Sequence, residues 1–390
     1  KSLRIPPIFE QKNIVEMCLR NYCKVGPLPT NPTLQWRLFA LARGLGLPIP
    51  KPFRAPYIPG ITVLIPHYGE TIILSKEELF NNADDEGDRP FKVFSGCTVP
   101  VRRVVPLIEW LKSRYPEEWR AFESRMASER VVGADGGVRG LNWPSGSTWH
   151  QYGPEHWKKI RIWASMRMQT LWRTVAGLSL YHPALEAHYR MQGIKDAKLT
   201  KDARGGKIWD AADVFTCLCT MQMYKSFDKS NFQQTNDMFR KFPKSFKVAF
   251  IDYEDLNGTA KADGVHSKQH RRYFSCLIDG SCDTDPADGR RLPKMRIELP
   301  GYPILGDGKG DNQNHAIPYM RGVFSQCIDA NQGAYFEQML MLPCVLGEFR
   351  TRKKGSNRAK QIIGLPEHIT SDIGSIGDFA AGSEQAFGTI

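Results

Sequence analysis

Apolar residues along the chain fall into short continuous runs and into longer stretches with helical spacing. Three runs of β-branched and aromatic residues, bounded by glycine, proline or polar clusters, predict buried strands at 60–66, 214–222 and 246–253. A helix-like pattern from Asn231 to Phe242 separates the last two runs. Because a strand, a helix and a strand in this order favour parallel pairing, we predict a β-α-β unit.

Two further runs predict an antiparallel addition to this sheet. Arg272 to Ile278 and Lys294 to Leu299 are strand-like and flank a loop rich in Asp, Gly and Pro, which is typical of a hairpin. Helical spacing of apolar residues predicts helices at 11–24, 34–45, 107–126 with an interruption near Pro116, and 157–189. The sequence therefore predicts an α/β fold with a mixed sheet flanked by helices.

The organisation of the chain is expected to change at residue 60. Residues 1–59 are a predicted helical segment that ends in a proline-rich linker, and residues 60–390 are the predicted α/β domain. Within that domain, the Gly- and Ser-rich residues 127–155 indicate a loop or an insertion. The basic residues 193–208 indicate a linker.

The composition and net charge of the chain indicate its class and its kinds of partner. The chain is 41% hydrophobic and 11% aromatic, as in globular proteins, and has a formal net charge of +12 and a pI of about 9.2. This balance suits a polyanion, an anionic membrane surface or a phosphorylated substrate. No apolar run reaches the roughly 18 residues that span a bilayer. The chain starts at Lys1 without Met and ends at Ile390 in a strand-like pattern, so we expect a piece of a longer protein.

Metal-binding patterns are weak in this sequence. The nine cysteines form no CxxC pair and no zinc-site spacing, so buried free thiols in a reducing compartment are expected. Asp283-Thr284-Asp285 is a DxD, a pattern that holds a divalent cation in many nucleotide-sugar transferases. Because it falls in the predicted hairpin loop, we interpret it as a solvated turn. Mg²⁺ stays a possible cofactor without an assigned site.

The densest polar chemistry lies in residues 306–315. Glycines at alternate positions let the backbone approach a ligand closely, and Lys309 can neutralise a diphosphate while Asn312 and backbone N–H groups donate hydrogen bonds. The P-loop order of glycines and lysine is absent. Predicted strands at 295–299 and 316–328 flank the stretch, so we expect a ligand-binding loop. Its secondary candidates are Asp307, Asn314 and His315.

Further candidate ligand-binding residues are carboxylates and arginines outside residues 306–315. Glu70 follows the strand at 60–66, and the carboxyl end of a central parallel strand faces the ligand crevice in doubly wound folds. Asp329 follows the predicted strand at 316–328. The helical stretch at 157–189 carries three arginines that either bind phosphate or lie on a solvated face: Arg161, Arg167 and Arg173.

Several segments, in this order, resemble the core of the 1,3-β-glucan synthases, which are called callose synthases in plants. The segments are 63–70, 117–119, 161–165, Arg173-Thr174 with Gly177, 299–316, 328–332, 335–337, and Gln385 with Phe387. The resemblance covers most of residues 60–390. It implies a plasma-membrane enzyme that transfers glucose from UDP-glucose to the 3-hydroxyl of a growing β-glucan chain. This region would be its cytosolic domain, with an A-type glycosyltransferase-like fold.

The resemblance also implies roles for named residues. Glu70 would lie near the uridine, Lys309 and Asn312 would contact the diphosphate, and Asp329 would lie on the donor side. The catalytic base would lie beyond Ile390, so this piece alone is expected to be inactive.

The chain departs from the family pattern at two glycines. Gly310 and Gly333 stand where many members carry another residue, often an acidic one at the second position. The motif Asp329-Ala330-Asn331-Gln332 itself is intact, so the departure at Gly333 affects only the edge of that motif.

The implied partners are UDP-glucose, the glucan acceptor, the membrane through transmembrane helices outside this chain, and a Rho-type GTPase as a regulatory subunit. Two other functions stay open at this point. One is a non-catalytic UDP-sugar-binding or regulatory domain. The other is a basic nucleic-acid-binding module, but the basic residues are dispersed apart from a cluster at 350–360 and form no known nucleic-acid-binding motif. We therefore expect no nucleic-acid partner.

Overall fold

The computed structural model describes residues 58–80, 106–133, 135–144, 149–191, 214–255, 271–303, 309–330, 332–334, 336–350 and 359–364. The chain divides into two compact units, one of residues 59–187 and 196–340 and the other of residues 1–58, 188–195 and 341–390. The predicted helices at 11–24 and 34–45 and the basic linker at 193–208 lie outside the described residues.

A six-stranded mixed sheet lies in the first unit. The strands, including those of a separate short hairpin, are β1 Ile61–His67, β2 Arg130–Val132, β3 Val138–Gly140, β4 Phe215–Met221, β5 Phe246–Asp255, β6 Arg271–Asp279, β7 Met295–Leu299 and β8 Phe324–Cys327. The large sheet has the order β7-β6-β5-β4-β1-β8. Strands β5, β4, β1 and β8 pair in parallel, whereas β6 and β7 add antiparallel. The predicted parallel unit, hairpin and mixed sheet are confirmed.

Helices flank this sheet, as predicted. The described helices of the chain are α1 Lys76–Phe80, α2 Leu107–Arg114, α3 Pro116–Ala127, α4 Pro154–Ser165, α5 Leu171–Ser179, α6 Tyr181–Met191, α7 Lys229–Lys241, α8 Lys309–Asn314 and α9 Phe336–Glu348. The interruption near Pro116 is present, because this proline starts α3. The single helical stretch predicted at 157–189 is divided among α4, α5 and α6.

The sheet is covered on both faces. Every residue of β1 and β4 is buried, which explains why both strands are continuous apolar runs. On one face, α6 and α7 bring Tyr181 against Phe215 and Phe239 against Phe246, with ring centroids 4.8 and 5.0 Å apart. On the other face a cluster joins four strands to the segment after α8; its members are Leu64, Leu218, Ala249, Leu277, Ala316 and Tyr319.

The Gly and Ser content of residues 127–155 predicts a loop or an insertion, and the described part of this segment includes both loops and short regular elements. These residues contain the β2–β3 hairpin and a 3₁₀ turn at Trp149–Gln151. Leu141 and Tyr152 are buried in a cluster with α2, α3 and α4. The Trp143 ring packs edge-on against Phe122, with centroids 5.3 Å apart. Widely spaced aromatic residues thus anchor the segment despite its loop-like composition.

The segment around residues 306–328 differs from its prediction in two ways. The expected loop becomes helical at Lys309, where α8 begins. The expected strand at 316–328 is reduced to β8, because a 3₁₀ turn at Ile317–Tyr319 and Gly322, at φ 92°, precede it. Pro318 and Gly322 interrupt the apolar pattern in the manner of turn residues.

The described cysteines divide by exposure. Cys217, Cys219 and Cys276 are free and buried, as expected, but Cys327 is exposed on β8. Burial raises the pKa of the Cys276 thiol to about 12, so this thiol is unreactive at neutral pH. Among the described residues, no helix is both long and apolar enough to cross a membrane.

Candidate functional site

Several of the predicted site residues lie at the carboxyl edge of the parallel strands. Leu64 of β1 is in register with Leu218 of β4 and Cys327 of β8, so the carboxyl ends of these strands lie at one edge. Glu70 follows β1 and Asp329 follows β8. In open α/β sheets, ligands bind outside the carboxyl ends of the strands. Two of the predicted carboxylates therefore belong to the same edge.

Glu70 is held by a tight turn at the end of β1. Gly69 adopts φ 115°, a conformation that residues with a Cβ rarely adopt. The backbone N–H of Tyr68 donates to Glu70 Oε2 over 2.6 Å. The side chain of Glu70 remains 44% exposed, so its carboxylate is both positioned by the turn and open to a ligand.

His67 supports this turn from the end of β1. Its Nε2 hydrogen-bonds with the carbonyl oxygen of Glu70 over 2.9 Å and lies 3.9 Å from Glu70 Oε2. Burial lowers the pKa of His67, and the nearby Glu70 carboxylate opposes that shift only in part. A neutral imidazole is therefore favoured, and it holds the backbone of the turn.

Helix α8 meets the same edge through its side chains. Asn312 has no exposed surface, and its Nδ2 donates to the carbonyl oxygen of Thr220 over 2.9 Å and, more weakly, to that of His67 over 3.5 Å. Gln313 Nε2 donates to the carbonyl oxygen of Leu64 over 3.3 Å. Because Leu64 lies deeper in β1 than His67, α8 runs inward from the edge, with Lys309 at its outer end.

These contacts give Asn312 a structural role, since its amide donor is used at the ends of β1 and β4. A direct diphosphate contact would require this buried side chain to become accessible, and that contact stays a prediction. His315 is also buried; its Nδ1 lies 2.9 Å from Ser275 Oγ, and burial lowers its pKa to about 4. Asn314 is exposed, and Asp307 lies outside the described residues.

A compact turn carries Asp329. The pairing of β8 with β1 continues through the Ile328 N–H, which donates to Leu64 O over 3.1 Å. The Asp329 N–H donates to Gln332 Oε1 over 3.2 Å, and the Gln332 N–H donates to Asp329 O over 3.3 Å. These reciprocal bonds fix the backbone on both sides of the turn.

Helix α5 supports this turn, and our sequence interpretation gave its residues no such role. Thr174 Oγ1 donates to the carbonyl oxygen of Ala330 over 2.7 Å. Gly177 lies so close to Ala334 that a Cβ at Gly177 would fall 2.6 Å from Ala334 N. The only sequence signal was the spacing of Arg173-Thr174 and Gly177 within the resemblance. Spacing alone does not reveal which backbone a helix face contacts.

The DxD lies in a turn, as the sequence predicts. It follows β6, whose last residue Asp279 pairs with Lys247 near the amino end of β5. Asp285 Oδ1 accepts the Ala287 N–H over 2.9 Å, and the Asp285 N–H donates to Arg290 O over 2.7 Å. Across the described part of the chain, no group of three or more His, Cys, Asp or Glu side chains has the arrangement of a metal site.

Comparison with known proteins identifies the family. The model of the 1,3-beta-glucan synthase component family matches residues 28–390. The chain belongs to this family. It is 33% identical to the 1,3-beta-glucan synthase component bgs1 of Schizosaccharomyces pombe over 420 residues, which cover 100% of this chain and 22% of that protein.

Two further relatives extend the similarity to other groups of organisms. The component FKS1 of Aspergillus niger is 32% identical, with 100% of this chain and 20% of the relative covered. Callose synthase 3 of Arabidopsis thaliana is 29% identical, with 93% and 18% covered. The chain thus spans about a fifth of the length of these relatives.

Proposed function

We propose that this chain is the donor-binding part of a 1,3-β-glucan synthase. The enzyme transfers glucose from UDP-glucose to the 3-hydroxyl of a growing β-glucan chain, and its sheet is of the A-type glycosyltransferase kind. Family membership supports the reaction. The main structural support for a site here is that Glu70, the outer end of α8 and the Asp329 turn all lie at the carboxyl edge of the parallel strands.

The transfer inverts the configuration at the anomeric carbon. The acceptor O3 attacks C1 of glucose as the bond from C1 to the phosphate oxygen breaks, and UDP leaves with the bonding electrons. A base removes the proton of the 3-hydroxyl, and positive charge stabilises the departing diphosphate. We assign that charge to Lys309, and we place the base in the remainder of the protein, beyond Ile390.

Two carboxylates have different tasks in this proposal. Glu70 accepts hydrogen bonds from the uridine, because the turn at Gly69 leaves its carboxylate partly exposed at the sheet edge. Asp329 faces the donor sugar from the turn after β8. The other proposed partners are the acceptor glucan, the plasma membrane through helices outside this chain, and a Rho-type GTPase subunit.

Calorimetric titration with UDP-glucose tests the donor site. We expect the chain to bind UDP-glucose, and we expect Lys309→Ala and Glu70→Gln to weaken binding by about 10-fold or more, as for the loss of charge-assisted hydrogen bonds. Asp285→Asn, in the DxD turn, is the control and should bind as the wild type does. Turnover is not expected from this chain alone.

Two results would contradict the proposal. One is a folded chain that binds no UDP-glucose. The other is tight binding to random oligonucleotides with a steep salt dependence, which would favour the nucleic-acid function instead.

A further inference from the structure

Three arginines of the helical region differ in what their side chains contact. Arg161 Nε donates to the carbonyl oxygen of Leu74 over 2.6 Å. Arg167 pairs with Glu118 and stacks on the Trp163 ring, its Cζ 4.0 Å from the centroid. Within the described ranges, the half-buried guanidinium of Arg173 has neither an ion pair nor a hydrogen-bond acceptor. Two of the three arginines therefore have structural contacts, whereas the described residues give the guanidinium of Arg173 no such contact.

Arg173 lies in the first turn of α5, at the carboxyl edge of the sheet. The first N–H groups of α5 bond to the two residues that follow Glu70. Leu171 N donates to Thr71 O over 3.1 Å, and Trp172 N donates to Ile72 O over 3.0 Å. The N–H of Arg173 itself is capped by Thr170 Oγ1 over 3.4 Å. These acceptors occupy the N–H groups at the helix start, so a ligand would meet the side chain of Arg173, not the helix terminus.

Gly333 places the guanidinium beside the Asp329 turn. A Cβ built on Gly333 would lie 3.2 Å from Arg173 Nε and 3.4 Å from Nη2. The neighbouring Thr174 is bonded to Ala330 in the same turn. Arg173 therefore lies between the segments that follow β1 and β8, beside the exposed Gly333.

We propose that Arg173 binds a phosphate of the nucleotide diphosphate sugar. A guanidinium presents a planar fork of donors that matches two phosphate oxygens. A half-buried cation without a partner has lost part of its hydration, and an anionic ligand restores favourable interactions. The inference rests on the proposed function and adds a second cation to it, on the opposite face of the sheet from α8.

The test compares ligands that differ in phosphate content. UDP-glucose, UMP and uridine are titrated into the wild-type chain, Arg173→Ala and Arg173→Lys, with folding checked by circular dichroism. We expect Arg173→Ala to weaken UDP-glucose binding by about 10- to 100-fold and to leave uridine binding unchanged, as for loss of a charged hydrogen bond. Arg173→Lys should recover part of the affinity. Arg240→Ala, which removes an exposed arginine of α7, is the control.

The outcomes distinguish the two proposals. Equal loss of uridine and UDP-glucose binding in Arg173→Ala would overturn the inference, because it would show a structural role. Unchanged UDP-glucose binding in that variant would also overturn it, while the donor-site proposal would stand. A folded wild-type chain that binds no uridine ligand would overturn both.

Discussion

Helices α5 and α8 reach the same edge of the sheet from opposite faces, but different interactions hold them. Helix α5 contacts the Asp329 turn through a close backbone approach at Gly177 and one hydroxyl, that of Thr174. Helix α8 inserts the amides of Asn312 and Gln313 against strand carbonyls. Helix α5 is held by a close backbone contact that glycine permits, and α8 is held by hydrogen bonds from buried polar side chains.

This difference changes which residues are available for ligands. By sequence, α8 is the more polar segment and contains the obvious candidates. In the structure, Asn312 and Gln313 are buried and bonded to the sheet, whereas α5 keeps the half-buried Arg173 beside the turn. Polar composition therefore identifies the edge but does not identify which polar groups contact a ligand there.

The largest expected effect tests the backbone contact of α5. In Gly177→Ala, the new Cβ would fall 2.6 Å from Ala334 N, so the helix or the turn must move. We expect a loss of about 3 kcal/mol in the free energy of unfolding, the upper end for overpacked sites. Gly310→Ala in α8 is the matched control, because among the described residues a Cβ at Gly310 would meet no atom within 4 Å outside its own helix backbone.

The control should change stability in the opposite direction. Alanine is favoured over glycine within a helix by roughly 0.5–1 kcal/mol, so Gly310→Ala should be slightly stabilising. Urea denaturation of both variants measures the two effects. Equal, small changes would show that the backbones of α5 and the turn are not in contact.

Lowering the pH should reduce the free energy of unfolding through His315, which directly follows α8. Burial lowers the pKa of His315 to about 4 from the ordinary 6.5. Above pH 6.5 the imidazole is neutral in both states; between 6.5 and about 4 only the unfolded chain takes up the proton. Stability should therefore fall as the pH is lowered across this window, by about 3 kcal/mol in total, at roughly 1.4 kcal/mol per pKa unit.

The pH dependence can be assigned to this residue by substitution. Urea midpoints measured from pH 7 to 4 should fall less steeply for His315→Gln than for the wild type. His150→Gln, which replaces an exposed histidine, should keep the wild-type slope. If His315→Gln also keeps it, the imidazole is not held neutral in the folded state.

A smaller effect concerns the buried amide of α8. Asn312→Ala removes the donor to Thr220 O and the weaker one to His67 O, and should cost about 2 kcal/mol. Asn314→Ala, on the exposed side of the same helix, should change stability by less than about 0.5 kcal/mol. If Asn312→Ala abolishes UDP-glucose binding but barely changes stability, the diphosphate contact inferred from the sequence is correct and the structural role is wrong.

The same two helices show what the sequence could predict. Strands β1 and β4 were predictable because burial on both faces demands continuous apolar runs, and Glu70 was predictable from its place after β1. Helix α8 was not, because its sequence, Lys-Gly-Asp-Asn-Gln-Asn, has low helix propensity. Its helical form depends on hydrogen bonds to strands more than 90 residues away in sequence, such as that of Asn312 to Thr220.

The contacts by which α5 supports the Asp329 turn could not be predicted from the sequence for a related reason. Thr174 and Gly177 are ordinary residues in a helical pattern, and their roles depend on the backbone of Ala330 and Ala334, which contacts them. The aromatic residues of 127–155 were missed in the same way, since composition marks the segment as a loop. In each case a long-range contact overrides a local pattern.

The hydroxyl of Thr174 gives the smallest effect and the closest test of the link from α5 to the site. Thr174→Val keeps the shape of the side chain but leaves the Ala330 carbonyl without its 2.7 Å donor, so about 1 kcal/mol of stability should be lost. Ser179→Ala is the control, because Ser179 Oγ donates within its own helix, to Ala176 O. Because the Ala330 carbonyl adjoins Asp329, we expect Thr174→Val, and not Ser179→Ala, to weaken UDP-glucose binding severalfold. Unchanged affinity in a destabilised Thr174→Val would mean that α5 supports the fold but does not position the turn for the ligand.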